Sequence, residues 1–194
     1  MIQVIFSIMA QQELPDDEDE DEDDDDSSAL AASQSLDILA LNLAHEKYIT
    51  TLLSQPGAAS SSEPQPCAQQ SCLAIAVSSE GCQEHIRSKY LQSFLQIMGS
   101  GIRHELPPVR NYALYMLGQF SEFIHPEISN HAPDILPVLL DYLDRALASI
   151  TPGAKDPSTV SRVFYALETF CENLEMKLVP HLELIMSRAT QAME

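Results

Sequence analysis

The 194-residue sequence predicts an all-α solenoid. Three observations carry that expectation. Apolar residues recur at helical spacing almost everywhere, with no run of period-two alternation beyond the first few residues. Proline, glycine and serine interrupt the apolar stretches where helices start and stop. Whole helix-length phrases also recur along the chain.

The opening "MIQVIFSIMA" places Ile2, Val4, Ile5, Phe6, Ile8 and Met9 in a short apolar segment. A lone helix of that length is marginal, so residues 1–12 read as the last helix of an incomplete unit. A secretory signal is the poorer reading, because no basic residue precedes the apolar part and no small-residue cleavage site follows it.

Residues 13–27 hold the acidic run Asp16, Asp17, Glu18, Asp19, Glu20, Asp21, Glu22, Asp23, Asp24, Asp25 and Asp26. Eleven adjacent carboxylates repel one another and bury no apolar surface, so an extended loop is expected. The run supplies eleven of the 29 acids, which leaves 18 against 10 Lys and Arg in the rest. That remainder is an ordinary, mildly acidic chain long enough for one sizeable core.

Residues 28–54 form the first helix pair. "SSALAASQSLDILALNLAHE" begins with N-cap serines and carries Leu36, Leu39 and Leu43 on one stripe, and "EKYITTLLSQ" is a short second helix. The Pro/Gly/Ser-rich stretch 55–66 is a linker. In 67–104, "PCAQQSCLAIAVSSEG" is a helix ended by Gly81, and "EHIRSKYLQSFLQIMGSG" is its partner, ended near Gly99 and Gly101.

Residues 105–150 start at Pro107 and Pro108, place Val109, Ala113, Leu117 and Phe120 on one face, and return through "NHAPDILPVLLDYLDRAL". Residues 151–194 repeat the scheme from Asp156 and Pro157. "LYMLGQFSEFI" overlays "FYALETFCENL" at a shift of 50, pairing Leu117 with Leu167 and Phe120 with Phe170. "LAIAVSSEG" joins at a shift of 42, and "FLQIM" overlays "LLDYL" at 45.

Two helices per unit at a period in the forties is the HEAT or armadillo pattern, which gives a right-handed α-solenoid of about four antiparallel helix pairs. The order Pro108, Val109, Arg110, Ala113, Leu117, Gly118 strengthens the HEAT reading, with Ala and Gly allowing close helix approach. Arg110 is expected to pair with an acid of the adjacent unit or to donate to neighbouring helix ends. Phe120, Phe170, Tyr115 and Tyr165 are expected in the core. Glu122, Glu172 and Asn173 end first helices, where they cap, bridge to the next unit or face a partner.

Charge and motifs exclude several functions. The net charge of −19 repels phosphate backbones and anionic headgroups, which argues against direct nucleic-acid or membrane binding and favours basic proteins. No stretch other than the N-terminus approaches a membrane-spanning length. Cys67, Cys72, Cys82 and Cys171 lack CxxC spacing and read as reduced, mostly buried thiols. His45, His85, His104, His125, His131 and His181 lie in different units without an HExxH-type pair, so no metal is expected. Cys82 and His85 lack an orienting third group, and "GSG" lacks a phosphate-loop ending. No catalytic residue and no cofactor are assigned.

The phrases "LDILALNL", "IAVSSEGCQEHIR", "VRNYALYMLGQFSE" and "YALETFCENLEMKLVPHLELIM" resemble the importin-β (karyopherin-β) nuclear transport receptors over about Leu36 to Met186. The segment "SQPGAASSSEPQPCAQQ" departs from the family pattern. Receptors of that family have around twenty repeats, so the chain is expected to be an internal portion of one. The resemblance implies cargo on the concave face, Ran-GTP as regulator, Phe-Gly nucleoporins on the outer face, and shuttling between cytoplasm and nucleus.

It also implies histone- or ribosomal-protein-like cargo, for which Asp16 to Asp26 would be a polyelectrolyte contact. The competing readings are a passive solubilising loop and a HEAT-repeat scaffold without a transport role.

Overall fold

The computed structural model describes residue 5 and residues 27–53, 65–148 and 158–192. The helix expected at 1–12 is described only at Ile5, which is buried. The acidic run and the 55–64 stretch lie outside the described residues.

Helices succeed one another as α1 (Ser27–Asn42), α2 (His45–Leu53), α3 (Gln65–Val77), α4 (Ser79–His85), α5 (Leu91–Ile102), α6 (Pro107–Phe123), α7 (Ala132–Ala148), α8 (Ser158–Glu172) and α9 (Leu182–Ala192). A π-turn, Ile86–Tyr90, joins α4 to α5, and 3-10 turns at Glu127–His131 and Glu175–His181 lead into α7 and α9. The described residues contain no strand.

These elements stack in two layers. First helices pack on one another from α3 to α6 and from α6 to α8, and second helices from α5 to α7 and from α7 to α9. The layers are sewn together where α5 meets α6 and α7 meets α8, with one continuous core between them. Helices paired and stacked in this manner form a HEAT-repeat solenoid.

The repeat positions read from the sequence explain the core. Leu117, Phe120, Leu167 and Phe170 are all buried, as are Val109 and Ala113. Pro107 starts α6, where its missing N–H costs no helical bond. Ala113 approaches Gly101 so closely that a Cβ on that glycine would come within 2.7 Å of the alanine's own.

Three expectations are corrected. Gly81 does not end a helix: α3 stops at Val77, and Gly81 lies inside α4, pressed against α1. A Cβ there would meet the Ala40 carbonyl carbon at 2.6 Å, so the missing side chain serves packing. By contrast, Gly99 and Gly101 do stand in the last turn of their helix, since α5 ends at Ile102. Gly118 is not a close-approach site, since nothing lies within 4 Å of its virtual Cβ.

The third correction concerns the tyrosines. Tyr115 is 40% exposed and Tyr165 66% exposed, whereas Phe120 and Phe170 are fully buried. A residue five positions before the phenylalanine lies about 140° around the helix, so both rings cannot enter the same seam.

Polar contacts join the corners of successive pairs. Arg87, in the π-turn, donates to the Phe123 carbonyl at 2.8 Å and the His125 carbonyl at 2.9 Å, and its Nε lies 3.1 Å from the Glu127 carboxylate. One corner further on, the Ser129 hydroxyl donates to the Asn173 carbonyl at 3.0 Å and Lys177 donates to the Asn130 side chain at 2.7 Å. Lys89 reaches Glu46 of α2 at 3.2 Å, and Arg188 of α9 reaches Asp144 of α7 at 2.7 Å.

Candidate functional site: a groove between second helices

Adjacent second helices α5 and α7 leave a groove of about 710 Å³ between them. The groove exists because both helices turn their largest apolar residues inward while presenting smaller or polar ones to the seam. Met98, Ile102 and Ile135 form its buried floor, and Leu95 and Val138 its shoulders. Gly99 and Ser100 keep the α5 wall low.

Its rim is polar and of mixed charge. Asp134 and Asp141 stand on α7, Arg103 at the end of α5, and Gln92 and Gln96 on the opposite wall. Asp134 makes no ion pair among the described residues, whereas Asp141 is held 3.1 Å from Arg145. Arg103 donates back to the Gly99 carbonyl at 3.3 Å.

Pro137 adds a further acceptor. It lies inside α7 and carries no N–H, so the carbonyl of Pro133 loses its helical partner. Both prolines line the groove. An apolar floor with carboxylates and a released carbonyl suits an extended peptide bearing both apolar and basic side chains.

Arg110 has the role expected of a donor to neighbouring helix ends. Its guanidinium donates to the His104 carbonyl at 2.8 Å and the Glu105 carbonyl at 2.7 Å, beyond the end of α5. Nε donates to the Tyr142 hydroxyl at 3.0 Å, and the same guanidinium lies 5.4 Å from that ring's centre. Arg110 therefore braces the α5–α6 junction against α7 through its Nε and Nη1.

Of the three residues ending first helices, Asn173 is structural: its side chain donates to Thr169 and its carbonyl accepts from Ser129. Glu122 and Glu172 are exposed and make no ion pair among the described residues. The groove residues and Arg87 escaped sequence reading. They come from separate helices, and no local spacing marks residues that meet only on stacking.

Thiol chemistry has little support. Burial pushes the Cys72 thiol up to about 12 and the Cys82 thiol up to about 11, so both stay protonated and weakly nucleophilic near neutrality. The His85 ring packs edge-on against His45, with centroids 5.5 Å apart. Among the described residues no cluster of three or more metal-ligating side chains occurs, and no helix is long and apolar enough to cross a membrane.

Stacked helix pairs with one layer grooved define a HEAT-repeat solenoid. No family model matches the chain. It is 40% identical over 112 residues to human importin-4, a match covering 58% of this chain and 10% of that protein. It is 36% identical over 132 residues to mouse importin-4, covering 68% of this chain and 12% of the relative.

Among solved structures, the fold matches Kap121p bound to Pho4p with a TM-score of 0.76 at 22% identity, over 96% of this chain and 18% of that one. Kap121p bound to RanGTP gives a TM-score of 0.76 at 23% identity, with the same coverage. The chain belongs to the importin-β family, and it spans about a tenth of the length of the importin-4 proteins it matches.

Proposed function

We propose that the chain is a cargo-holding portion of a nuclear import receptor, and that it takes Lys/Arg-rich protein segments of the histone or ribosomal-protein kind. The observation that carries the reading is the groove between α5 and α7, on a chain 40% identical to human importin-4 over the matched residues. In this reading the groove supplies short-range contacts: apolar side chains enter over Met98, Ile102 and Ile135, and basic ones meet Asp134 and the Pro133 carbonyl.

Asp16 to Asp26 supply the long-range part. Eleven adjacent carboxylates attract Lys/Arg-rich segments over a distance, which raises their local concentration and speeds capture, with affinity falling as salt rises. Ran-GTP is the proposed release signal and Phe-Gly nucleoporins the proposed pore contacts. These partners imply shuttling between cytoplasm and nucleus. Support comes from Kap121p, whose structures were solved with RanGTP, with Nup53p and with Pho4p.

The test is binding of a labelled histone-tail peptide to the full chain and to a variant with Asp16 to Asp26 replaced by Asn and Ser. The expected result is slower association and a flatter salt dependence in the variant. An Asp134→Lys and Ile135→Glu double variant should raise the dissociation rate instead. If neither variant changes binding, the reading fails and a scaffold without cargo is favoured.

A further inference from the structure

Tyr115 and Tyr165 occupy equivalent places on α6 and α8, at the shift of 50 that pairs Phe120 with Phe170, yet both turn away from the core. The packing of the two helices does not need them. Each belongs to a stripe with a defined chemistry, because residues three and seven positions on share its helix face. From Tyr115 the stripe runs through Gly118 to Glu122; from Tyr165 it runs through Glu168 to Glu172. Gly118 leaves the first stripe open, with nothing within 4 Å of its virtual Cβ.

These groups act on one another. The Tyr115 phenol is pushed up by burial first, and then by the nearby charges of Asp37, Tyr165 and Glu122. Among the described residues, Asp37, Glu122 and Glu168 form no ion pair. Glu122 and Glu172 also stand in the last turns of their helices, where a carboxylate opposes the helix dipole. Two equivalent helices thus carry an unfavourable charge beside an exposed ring.

The fold's other arginine–tyrosine contacts make the contrast. On α7, the Tyr142 ring carries Arg110 at 5.4 Å and Arg145 at 5.7 Å. Among the described residues no cation covers Tyr115 or Tyr165.

We propose that the outward stripes of α6 and α8 form a docking surface for a Lys/Arg-rich partner segment, whose cations stack on Tyr115 and Tyr165 and pair with Asp37, Glu122 and Glu168. Charge complementarity selects this occupant: the surface is aromatic and acidic, and cation–π contacts strengthen where carboxylates flank the ring. It lies on the first-helix layer, whereas the groove lies between second helices.

The test uses the full chain with Asp16 to Asp26 neutralised, so that loss of loop-based capture is separated from this surface. The probe is a fluorescein-labelled peptide of alternating Arg and Gly, read by anisotropy. A Tyr115→Ala and Tyr165→Ala variant should bind about tenfold more weakly. Tyr115→Phe with Tyr165→Phe keeps both rings and should stay within about twofold. Glu122→Gln with Glu168→Gln should weaken binding and flatten its salt dependence. Unchanged affinity in the alanine variant overturns the proposal. So does an uncharged Phe-Gly peptide that binds as tightly as the Arg-Gly one, or loss of binding in the phenylalanine variant equal to that in the alanine one.

Discussion

The phenol oxygen of Tyr48 lies 2.6 Å from the hydroxyl of Ser78, and both residues are buried. Tyr48 stands on α2, and Ser78 fills the corner between α3 and α4, so one short contact ties the first helix pair to the second. The network is closed: the Ser78 hydroxyl donates to the Ala74 carbonyl at 2.6 Å, which leaves the phenol to donate to Ser78 or to the Leu36 carbonyl at 3.3 Å. Removing the phenol oxygen by Tyr48→Phe should cost about 1–2 kcal/mol, because a buried acceptor loses its donor while the ring still packs. Chemical denaturation checks this; a midpoint equal to that of the parent would refute it.

Glycine substitutions should move stability in opposite directions. At Gly81 a methyl would press on the Ala40–Leu41 backbone, with the Leu41 nitrogen at 2.7 Å, so Gly81→Ala forces α1 off α4. A loss of about 1–3 kcal/mol is expected. At Gly118 the methyl meets open space inside a helix, so Gly118→Ala should add about 0.5–1 kcal/mol. Two thermal melts decide the pair.

Arg110→Lys should not substitute for the arginine. A lysine keeps the charge but lacks the planar fork that reaches His104, Glu105 and Tyr142 together. A loss of about 1–3 kcal/mol is expected, and it should change little with salt because the acceptors are neutral. Melts at low and high ionic strength measure both points.

Alkaline pH should unfold the protein earlier than its charge alone suggests. Cys72 is raised from an ordinary 9.0 to about 12, and Cys82 to about 11. The unfolded chain therefore releases protons that the folded chain still holds, so stability is complete below pH 9 and falls as pH rises towards 11 to 12. Tyr48, raised in the same direction, adds to the loss above its ordinary value of 10.0. Cys72→Ala should flatten the denaturation midpoint between pH 9 and 11.

The last repeat exposes Met176, Val179, Leu182, Leu184 and Met186 together. That much apolar surface on adjacent turns drives self-association. Sedimentation should show concentration-dependent oligomers, which Leu184→Glu with Met186→Glu should reduce.

Much of this architecture was legible in local order along the chain. Helical periodicity, proline starts and recurring phrases require nothing beyond neighbouring residues, and they place Leu117, Phe120, Leu167 and Phe170 correctly in the core. For Arg110 the sequence leaves two structural roles open, an acid of the adjacent unit or neighbouring helix ends, and the structure has it on the His104 and Glu105 carbonyls. Charge is equally local, so the acidity of Asp16 to Asp26 and the expectation of basic partners follow from composition.

Stacking decided the rest. Gly81 looks like a helix stop until α1 is seen lying on it, whereas the outward turn of Tyr115 and Tyr165 was already implicit in their angle around the helix from the phenylalanines. The groove between α5 and α7 joins residues of two separate helices, the Tyr48–Ser78 contact spans 30 positions, and the grip of Arg87 on Phe123 and His125 spans 36 and 38. Periodicity sets which face of a helix is apolar. Which neighbour covers that face, and how closely, depends on side-chain volumes meeting across repeats.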